Sequence, residues 1–198
     1  MPVYQYQTLK PGYIRLIELL PGRADDALAG ELIEVFLHEY ESDSTSSSNG
    51  ACRSFEALSY VWGSDAKPHN LISSSGGGAL LPMTASLHGF LVRLRYSDRQ
   101  RLVWADGICI NQNDTREKEQ QVGLMARIYR SASRVVADLG GEAPSPADSE
   151  QLGRFIDGCL RSLTGRGLRG YGSSKKHTGA QTSPTTVGNA SVIFRSVL

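Results

Sequence analysis

Short apolar segments separated by polar or glycine-containing stretches recur along the chain and predict β-strands. The segments with this character are residues 13–20, 31–39, 55–62, 101–105 and 134–139. Segment 55–62 is nearly continuous in apolar character, which is typical of a strand covered on both faces. Segment 31–39 is ambiguous between strand and helix, and its β-branched and aromatic residues favour a strand.

Apolar positions spaced three and four residues apart predict helices after two of these strands and after residue 150. The first helix covers residues 84–96, with Thr84 as its N-cap and with Arg93 and Arg95 facing outward. A long helix begins at Asp114, which forms a capping-box-like pair with Glu117 three residues later. A last helix covers residues 152–163.

The order of these elements predicts the fold class. From residue 55 onward it is strand, loop, helix, strand, helix, strand, helix, which is typical of a parallel sheet with helices packed on it. We interpret residues 64–82 as the loop, and its three successive glycines, Gly76–Gly78, as a flexible hairpin turn. No Gly-Lys-Ser/Thr follows those glycines, which argues against a phosphate-binding loop. The prediction is an α/β fold with additional N-terminal strands.

Charge is distributed unevenly along the 198 residues. The whole chain carries 21 Lys+Arg and 20 Asp+Glu, yet residues 158–198 hold six basic residues and no acidic one. This region is also rich in Gly, Ser and Thr, so we predict that 164–198 is a disordered basic tail. A basic arm that binds nucleic acid or acidic lipid is one interpretation, but its dilute charges favour a solvated tail or the end of a truncated chain. The predicted organisation is 1–50 as N-terminal strands and a Ser-rich loop, 51–163 as the main domain, and 164–198 as the tail.

Several classes of protein are excluded by what the sequence lacks. No apolar run approaches the ~18 residues of a membrane span, and the first ten residues do not resemble a secretory signal. Cys52, Cys109 and Cys159 have neither disulfide-framework nor zinc-finger spacing. No set of His, Cys and carboxylate residues has metal-ligand spacing, and Ser59 lacks a nucleophile elbow. We therefore expect a cytoplasmic protein with no metal and no cofactor.

Aromatic and polar residues gather at the ends of two predicted strands. In open parallel sheets, ligands bind outside the carboxyl ends of the strands. Aromatic rings beside carboxylate and amide groups can hold a small ligand by stacking and hydrogen bonding. The candidate ligand-binding residues are Ser59, Tyr60, Trp62, Gly63, Trp104, Asp106, Asn111 and Gln112.

Each candidate also has a structural explanation, and both remain open at this point. Trp62 and Trp104 can pack in a core, and an Asp before a Gly, as at Asp106, commonly forms a turn. Asn111–Gln112 can satisfy backbone groups at a connection. Glu117 is explained as the third residue of the capping box, but a carboxylate at the rim of a cleft can also act as a general base or stabilise positive charge.

Three motifs follow one another in the predicted α/β region. They read FEALSYVWG at 55–63, LVWADGICINQ at 102–112 and EKEQQV at 117–122, the last continuing to Gly140, with a lead-in at 14–22. In order and spacing they resemble the fungal heterokaryon-incompatibility (HET) domain family, and the likeness covers about residues 13–163.

The sequence departs from the pattern of this family at four positions. Ala105 replaces a bulky aliphatic residue, Gly107 an alanine, Lys118 an arginine and Asp138 a tryptophan. Asp138 places a carboxylate near the end of an apolar strand, where burial without a partner is costly. We therefore expect an open edge there, or a less stable domain.

The resemblance implies a role in fungal non-self recognition, in which the domain triggers programmed cell death after incompatible cells fuse. It also implies a TIR-like, flavodoxin-like fold that signals by self-association or by binding another incompatibility protein. From the lack of a long apolar run and the dilute charge of the tail, we expect no membrane and no specific nucleic acid as partners. Some TIR domains cleave NAD with a helix glutamate, and Glu117 matches that position. An NAD glycohydrolase would use the carboxylate to stabilise an oxocarbenium-like ribose, with NAD as substrate. A truncated, inactive copy is the third alternative.

Overall fold

The computed structural model describes residues 1–41, 54–75 and 77–138, together with the backbone of residues 191–195. The predicted Ser-rich loop, the predicted helix at 152–163 and most of the predicted tail lie outside the described residues.

The described strands form one eight-stranded sheet. They are β1 (Tyr13–Leu19), β2 (Ala29–Phe36), β3 (Glu56–Tyr60), β4 (His69–Ser73), β5 (Leu80–Met83), β6 (Arg101–Trp104), β7 (Arg134–Asp138) and β8 (Ser191–Arg195). Their spatial order is β5-β4-β2-β1-β6-β3-β7-β8.

The described helices are α1 (Ala85–Leu94), the single turn α2 (Asp106–Cys109) and α3 (Thr115–Ser131), with a 3₁₀ turn at Leu37–Tyr40. Two of these helices, α1 and α3, begin where the sequence predicts, whereas α2 and the 3₁₀ turn were not predicted. Thr84 caps α1 by accepting a hydrogen bond from the Leu87 N–H at 3.3 Å. Asp114 caps α3 in the same way, through the Glu117 N–H at 3.1 Å. Both predicted N-caps are confirmed.

The α/β class is confirmed, and the sheet is mixed rather than parallel throughout. Strands β6, β3 and β7 are parallel, as predicted. Strand β1 is antiparallel to both β2 and β6, and it is joined to β2 by the nine residues 20–28. The N-terminal strands therefore lie inside the sheet, between the parallel strands and the pair β4–β5.

The prediction of a loop over 64–82 is wrong at residues 69–73 and 80–82, which are strand. Strands β4 and β5 pair antiparallel there, with His69 opposite Met83 and Ile72 opposite Leu80. Each strand has only four or five residues, too short for its alternating burial to stand out in the sequence. Gly77 and Gly78 have φ of 79° and 74°, so the expectation of a glycine hairpin turn is confirmed for these two residues.

Two further predictions need correction. Residues 191–195 pair with β7 as β8, so the predicted disorder of the tail is wrong for those five residues. Arg95 does not face outward, because α1 ends at Leu94 and the extended backbone at Arg95 turns its side chain inward. Its guanidinium is buried and donates to the carbonyls of Arg23, Asp26 and Ala27 in the β1–β2 connection.

Candidate functional site

The carboxyl ends of β3 and β6 meet at one rim of the sheet. Trp62 follows β3, Asp106 follows β6, and the Trp62 indole Nε1 donates to Asp106 Oδ2 at 3.1 Å. Trp62 is 37% exposed and neighbouring Val61 is 71% exposed. We call Trp62 and Asp106 the rim pair. It joins an accessible aromatic ring to a carboxylate, which can stack on and hydrogen-bond a small ligand.

Tyr60 lies beneath the rim pair and supports it. Burial and the negative charge of Asp106, with which its hydroxyl is hydrogen-bonded, raise the pKa of Tyr60 above its ordinary value. The phenol therefore stays protonated and can donate to Asp106. Its ring contacts Phe90 of α1, with centroids 6.2 Å apart. Tyr60 thus connects the rim to the core.

Asn111 and Gln112 organise the connection after α2. The Gln112 side-chain Nε2 donates to the backbone carbonyl of Asp106 at 2.8 Å. The Asn111 side-chain Oδ1 accepts the N–H of Asn113 at 3.1 Å. Both amides therefore bond backbone groups of their own segment, as the structural interpretation of the sequence anticipates.

The remaining ligand-binding candidates differ in their exposure. Ser59 is exposed on β3, and Gly63 is exposed with a φ of 69°, a conformation that favours glycine. Trp104 is fully buried and packs edge-on against Tyr129, with ring centroids 5.6 Å apart. The expectation that Trp104 lies at the rim is wrong, because it is still within β6, where the strand is covered on both faces.

Glu117 lies in the interior rather than at the rim of a cleft. Only 5% of the residue is exposed. Its Oε1 accepts from Arg15 Nη1 at 2.6 Å and from the Asn111 N–H at 2.7 Å, and its Oε2 accepts from Arg15 Nη2 at 3.1 Å. The predicted rim position is therefore wrong. Glu117 faces inward because Arg15 of β1 supplies a positive charge that pairs with its carboxylate. The local sequence pattern around Glu117 does not show that β1 lies next to it.

Arg15 belongs to the candidate site because it pairs with Glu117, but the sequence analysis did not identify it. It is 1% exposed on β1 and forms a bidentate pair with Glu117, which we call the buried pair. Its guanidinium also donates to the carbonyls of Cys109, at 3.2 Å, and of Gln7. One signal was present: a charged residue in the middle of an apolar strand requires a buried partner of opposite charge.

Two clefts among the described residues lie elsewhere on the molecule. One of about 260 Å³ is lined by Lys10, Pro11, Gly12, Gln120, Gln121 and Leu124. The other, of about 230 Å³, is lined by Glu18, Ser54, Gln100 and Leu102. Neither of these two clefts is lined by a residue of the predicted site.

Comparison with known proteins identifies the family. Residues 55–161, more than half of the chain, match the family model described as heterokaryon incompatibility protein (HET). The chain belongs to the HET family. It is similar to heterokaryon incompatibility protein 6, OR allele, of Neurospora crassa, with 40% identity over 109 residues. That match covers 50% of this chain and 16% of the relative. No solved structure matches the chain.

The structure accounts for two departures of this HET domain from the family pattern. A Cβ on Gly107 would lie 2.5 Å from the Tyr60 hydroxyl, so the glycine makes room for the bond between Tyr60 and Asp106. Asp138 forms an ion pair with Arg93 of α1, and its side chain is 8% exposed. The carboxylate is therefore compensated. The expectation of an open edge there is wrong, because β8 pairs with β7 with Ser191 opposite Asp138, and the lower stability stays a prediction.

Other chemistry in the described part of this HET domain is limited. Burial raises the pKa of the Cys109 thiol to about 12, which leaves it un-ionised and poorly nucleophilic near neutral pH. Residues 1–41, 54–75 and 77–138 contain no cluster of three His, Cys, Asp or Glu residues able to hold a metal ion. None of the described helices has both the length and the apolar character needed to cross a membrane.

Proposed function

We propose that this HET domain acts in fungal non-self recognition and triggers programmed cell death as a TIR-like module that self-associates in the cytoplasm. The observation that carries the proposal is the family match over residues 55–161, together with similarity to a Neurospora protein named for heterokaryon incompatibility. The parallel strands β6, β3 and β7 support the comparison with TIR domains, since α1 precedes β6 and α2 and α3 lie between β6 and β7. The partner is a second copy or another incompatibility protein.

The rim is the surface that we assign to this self-association. Val61 and Trp62 are adjacent and exposed, and the indole is held in one orientation by Asp106. Exposed, orientationally fixed aromatic residues are frequent anchors of protein interfaces. Val122 on α3 is 59% exposed and does not belong to the rim pair, which makes it a suitable control position.

Expression in a fungal host from an inducible promoter tests the proposal. We expect loss of viability with the natural sequence, a marked reduction of that loss with Trp62→Ser, and no reduction with Val122→Ser. Light scattering of the purified proteins should show the same order in the mass of the assembled species. Undiminished viability with the natural chain, at confirmed protein levels, would contradict the proposal. A monomeric Trp62→Ser variant that still kills cells would contradict self-association.

Cleavage of NAD by Glu117 stays a second prediction. It requires that the hydrogen bonds around the Glu117 carboxylate open first. Both carboxylate oxygens accept hydrogen bonds from Arg15 or Asn111, so a substrate can reach Glu117 only after that arrangement opens. Concentrated purified protein should release nicotinamide from NAD, and Glu117→Gln should abolish the release while retaining native circular dichroism. Absence of turnover in the assembled natural protein would exclude this activity.

The third alternative, a truncated and inactive copy, makes an opposite prediction. Such a chain should lack a cooperative thermal unfolding transition. A single sharp transition measured by calorimetry would argue against it.

A further inference from the structure

The first residues of the chain form an arm that crosses the edge of the sheet. We call residues 2–7 the N-terminal arm. The N–H of Leu80 in β5 donates to the Pro2 carbonyl at 2.8 Å, and the Tyr4 N–H donates to the Leu80 carbonyl at 2.9 Å. These two bonds attach the outer half of the arm to one residue of an edge strand.

The inner half of the arm covers the buried pair. The Tyr6 ring lies over the Arg15 guanidinium, 4.9 Å from its centroid to Cζ, and the Tyr6 hydroxyl donates to the Ile108 carbonyl at 2.8 Å. The Gln7 carbonyl accepts from Arg15. The Tyr4 ring contacts the Tyr6 ring edge-on, with centroids 5.2 Å apart. These groups contribute to keeping the Arg15 and Glu117 side chains only 1% and 6% exposed.

The arm is attached far more weakly than the strands beneath it. Val3 is 57% exposed, and Gln5 and Gln7 are exposed as well. Strand β1, in contrast, pairs with β2 over seven residues and with β6 on its other side. Segments with few buried contacts open locally at a lower free energy than the whole domain needs to unfold.

We propose that the N-terminal arm is a displaceable cover that controls solvent access to Arg15 and Glu117. Displacement removes the tyrosine ring and the Gln7 carbonyl from the guanidinium, which lets solvent reach the ion pair and lets its hydrogen bonds open, while the sheet stays in place. The cover does not depend on the proposed role in incompatibility. It provides the opening that any chemistry at Glu117 would require.

Two probes report the opening at the buried pair itself. Phenylglyoxal modifies accessible guanidinium groups, and peptide mass spectrometry resolves its reaction at Arg15. Hydrogen exchange measured by NMR follows the Asn111 N–H, which donates to Glu117 at 2.7 Å. The amides of β3, between β6 and β7 in the sheet, provide the rate of global unfolding.

Tyr6→Ala is the test variant, and Gln7→Ala is its matched control. Tyr6→Ala removes the ring and its hydrogen bond, so we expect Arg15 labelling and Asn111 exchange to rise about tenfold or more. Gln7→Ala keeps the backbone carbonyl that Arg15 uses, so both rates should equal those of the natural protein. Exchange in β3 should be unchanged in both variants.

Tyr6→Phe keeps the test decisive if Tyr6→Ala does not fold. It retains the ring over Arg15 and loses only the bond to Ile108, so it should raise both rates by a smaller factor. The proposal is overturned if Asn111 exchanges at the rate of the β3 amides in the natural protein. It is also overturned if the folded Tyr6 variants label Arg15 no faster than Gln7→Ala does.

Discussion

The rim pair and the buried pair each contain a carboxylate, and the two carboxylates are close in sequence but differ in exposure. Asp106 holds a partly exposed tryptophan at the surface, whereas Glu117, eleven residues later, is enclosed with Arg15 inside the domain. Both carboxylates were candidates for a site at the same rim. The difference shows that a carboxylate within a family motif can have a structural role. Whether it can bind a ligand depends on its exposure to solvent.

The largest effect is expected from breaking the buried pair. Glu117→Leu leaves the Arg15 charge buried without its partner and should lower the free energy of unfolding by about 3–5 kcal/mol. Urea denaturation followed by circular dichroism measures this change.

The double variant Arg15→Met/Glu117→Leu should recover much of the loss, because no charge is then left unpaired. Asp106→Ala at the rim is the control, with an expected loss of about 1 kcal/mol. Equal losses at the two carboxylates would remove the distinction between them.

A smaller effect is expected at the contact beneath the rim. Gly107→Ala places a methyl group against the Tyr60 hydroxyl and should cost about 1–3 kcal/mol of unfolding free energy, since the ring must move. In a Tyr60→Phe background the hydroxyl is absent, and the cost should fall to less than half. A double-mutant cycle by urea denaturation measures the coupling. Equal costs in both backgrounds would show that the hydroxyl does not set the choice of glycine.

Replacing the rim tryptophan should change stability still less. Trp62→Phe should alter the free energy of unfolding by about 1 kcal/mol or less, because the side chain is partly exposed. The chain has two tryptophans, and Trp104 is fully buried. Acrylamide should therefore quench the natural protein appreciably and the Trp62→Phe variant only weakly. Strong quenching of that variant would contradict the burial of Trp104.

The smallest expected change is in the alkylation of the buried Cys109 thiol, which should hardly react in the folded protein. The Cys109 carbonyl accepts from Arg15, and its buried thiol has a pKa of about 12. Iodoacetamide at pH 8 should leave Cys109 unmodified in the folded protein and alkylate it in urea, as judged by peptide mass spectrometry. Rapid alkylation under native conditions would show that the region around the buried pair opens more readily than its contacts indicate.

Local features of the fold were predictable because their causes lie within a few residues of sequence. Thr84 and Asp114 cap helices through bonds to residues three positions later, and the parallel strands read as short apolar runs. The partner of Glu117 was not predictable in this way, because Arg15 lies 102 residues earlier in the chain. The burial of the two tryptophans was also not predictable from local sequence. Trp62 lies just beyond β3 and is partly exposed, whereas Trp104 is the last residue of β6 and is fully buried.

The position of β1 has a consequence for how the domain forms. Strand β1 is near the start of the chain, yet it fills the middle of the sheet and pairs with β6, with Ile17 opposite Val103. Joining these two strands closes a long loop, and such high contact order slows folding. Until β6 is made, one long edge of β1 has no strand beside it and is open to wrong pairing. A fragment that begins at residue 55, where the family match starts, would lack both central N-terminal strands and expose the edge of β6.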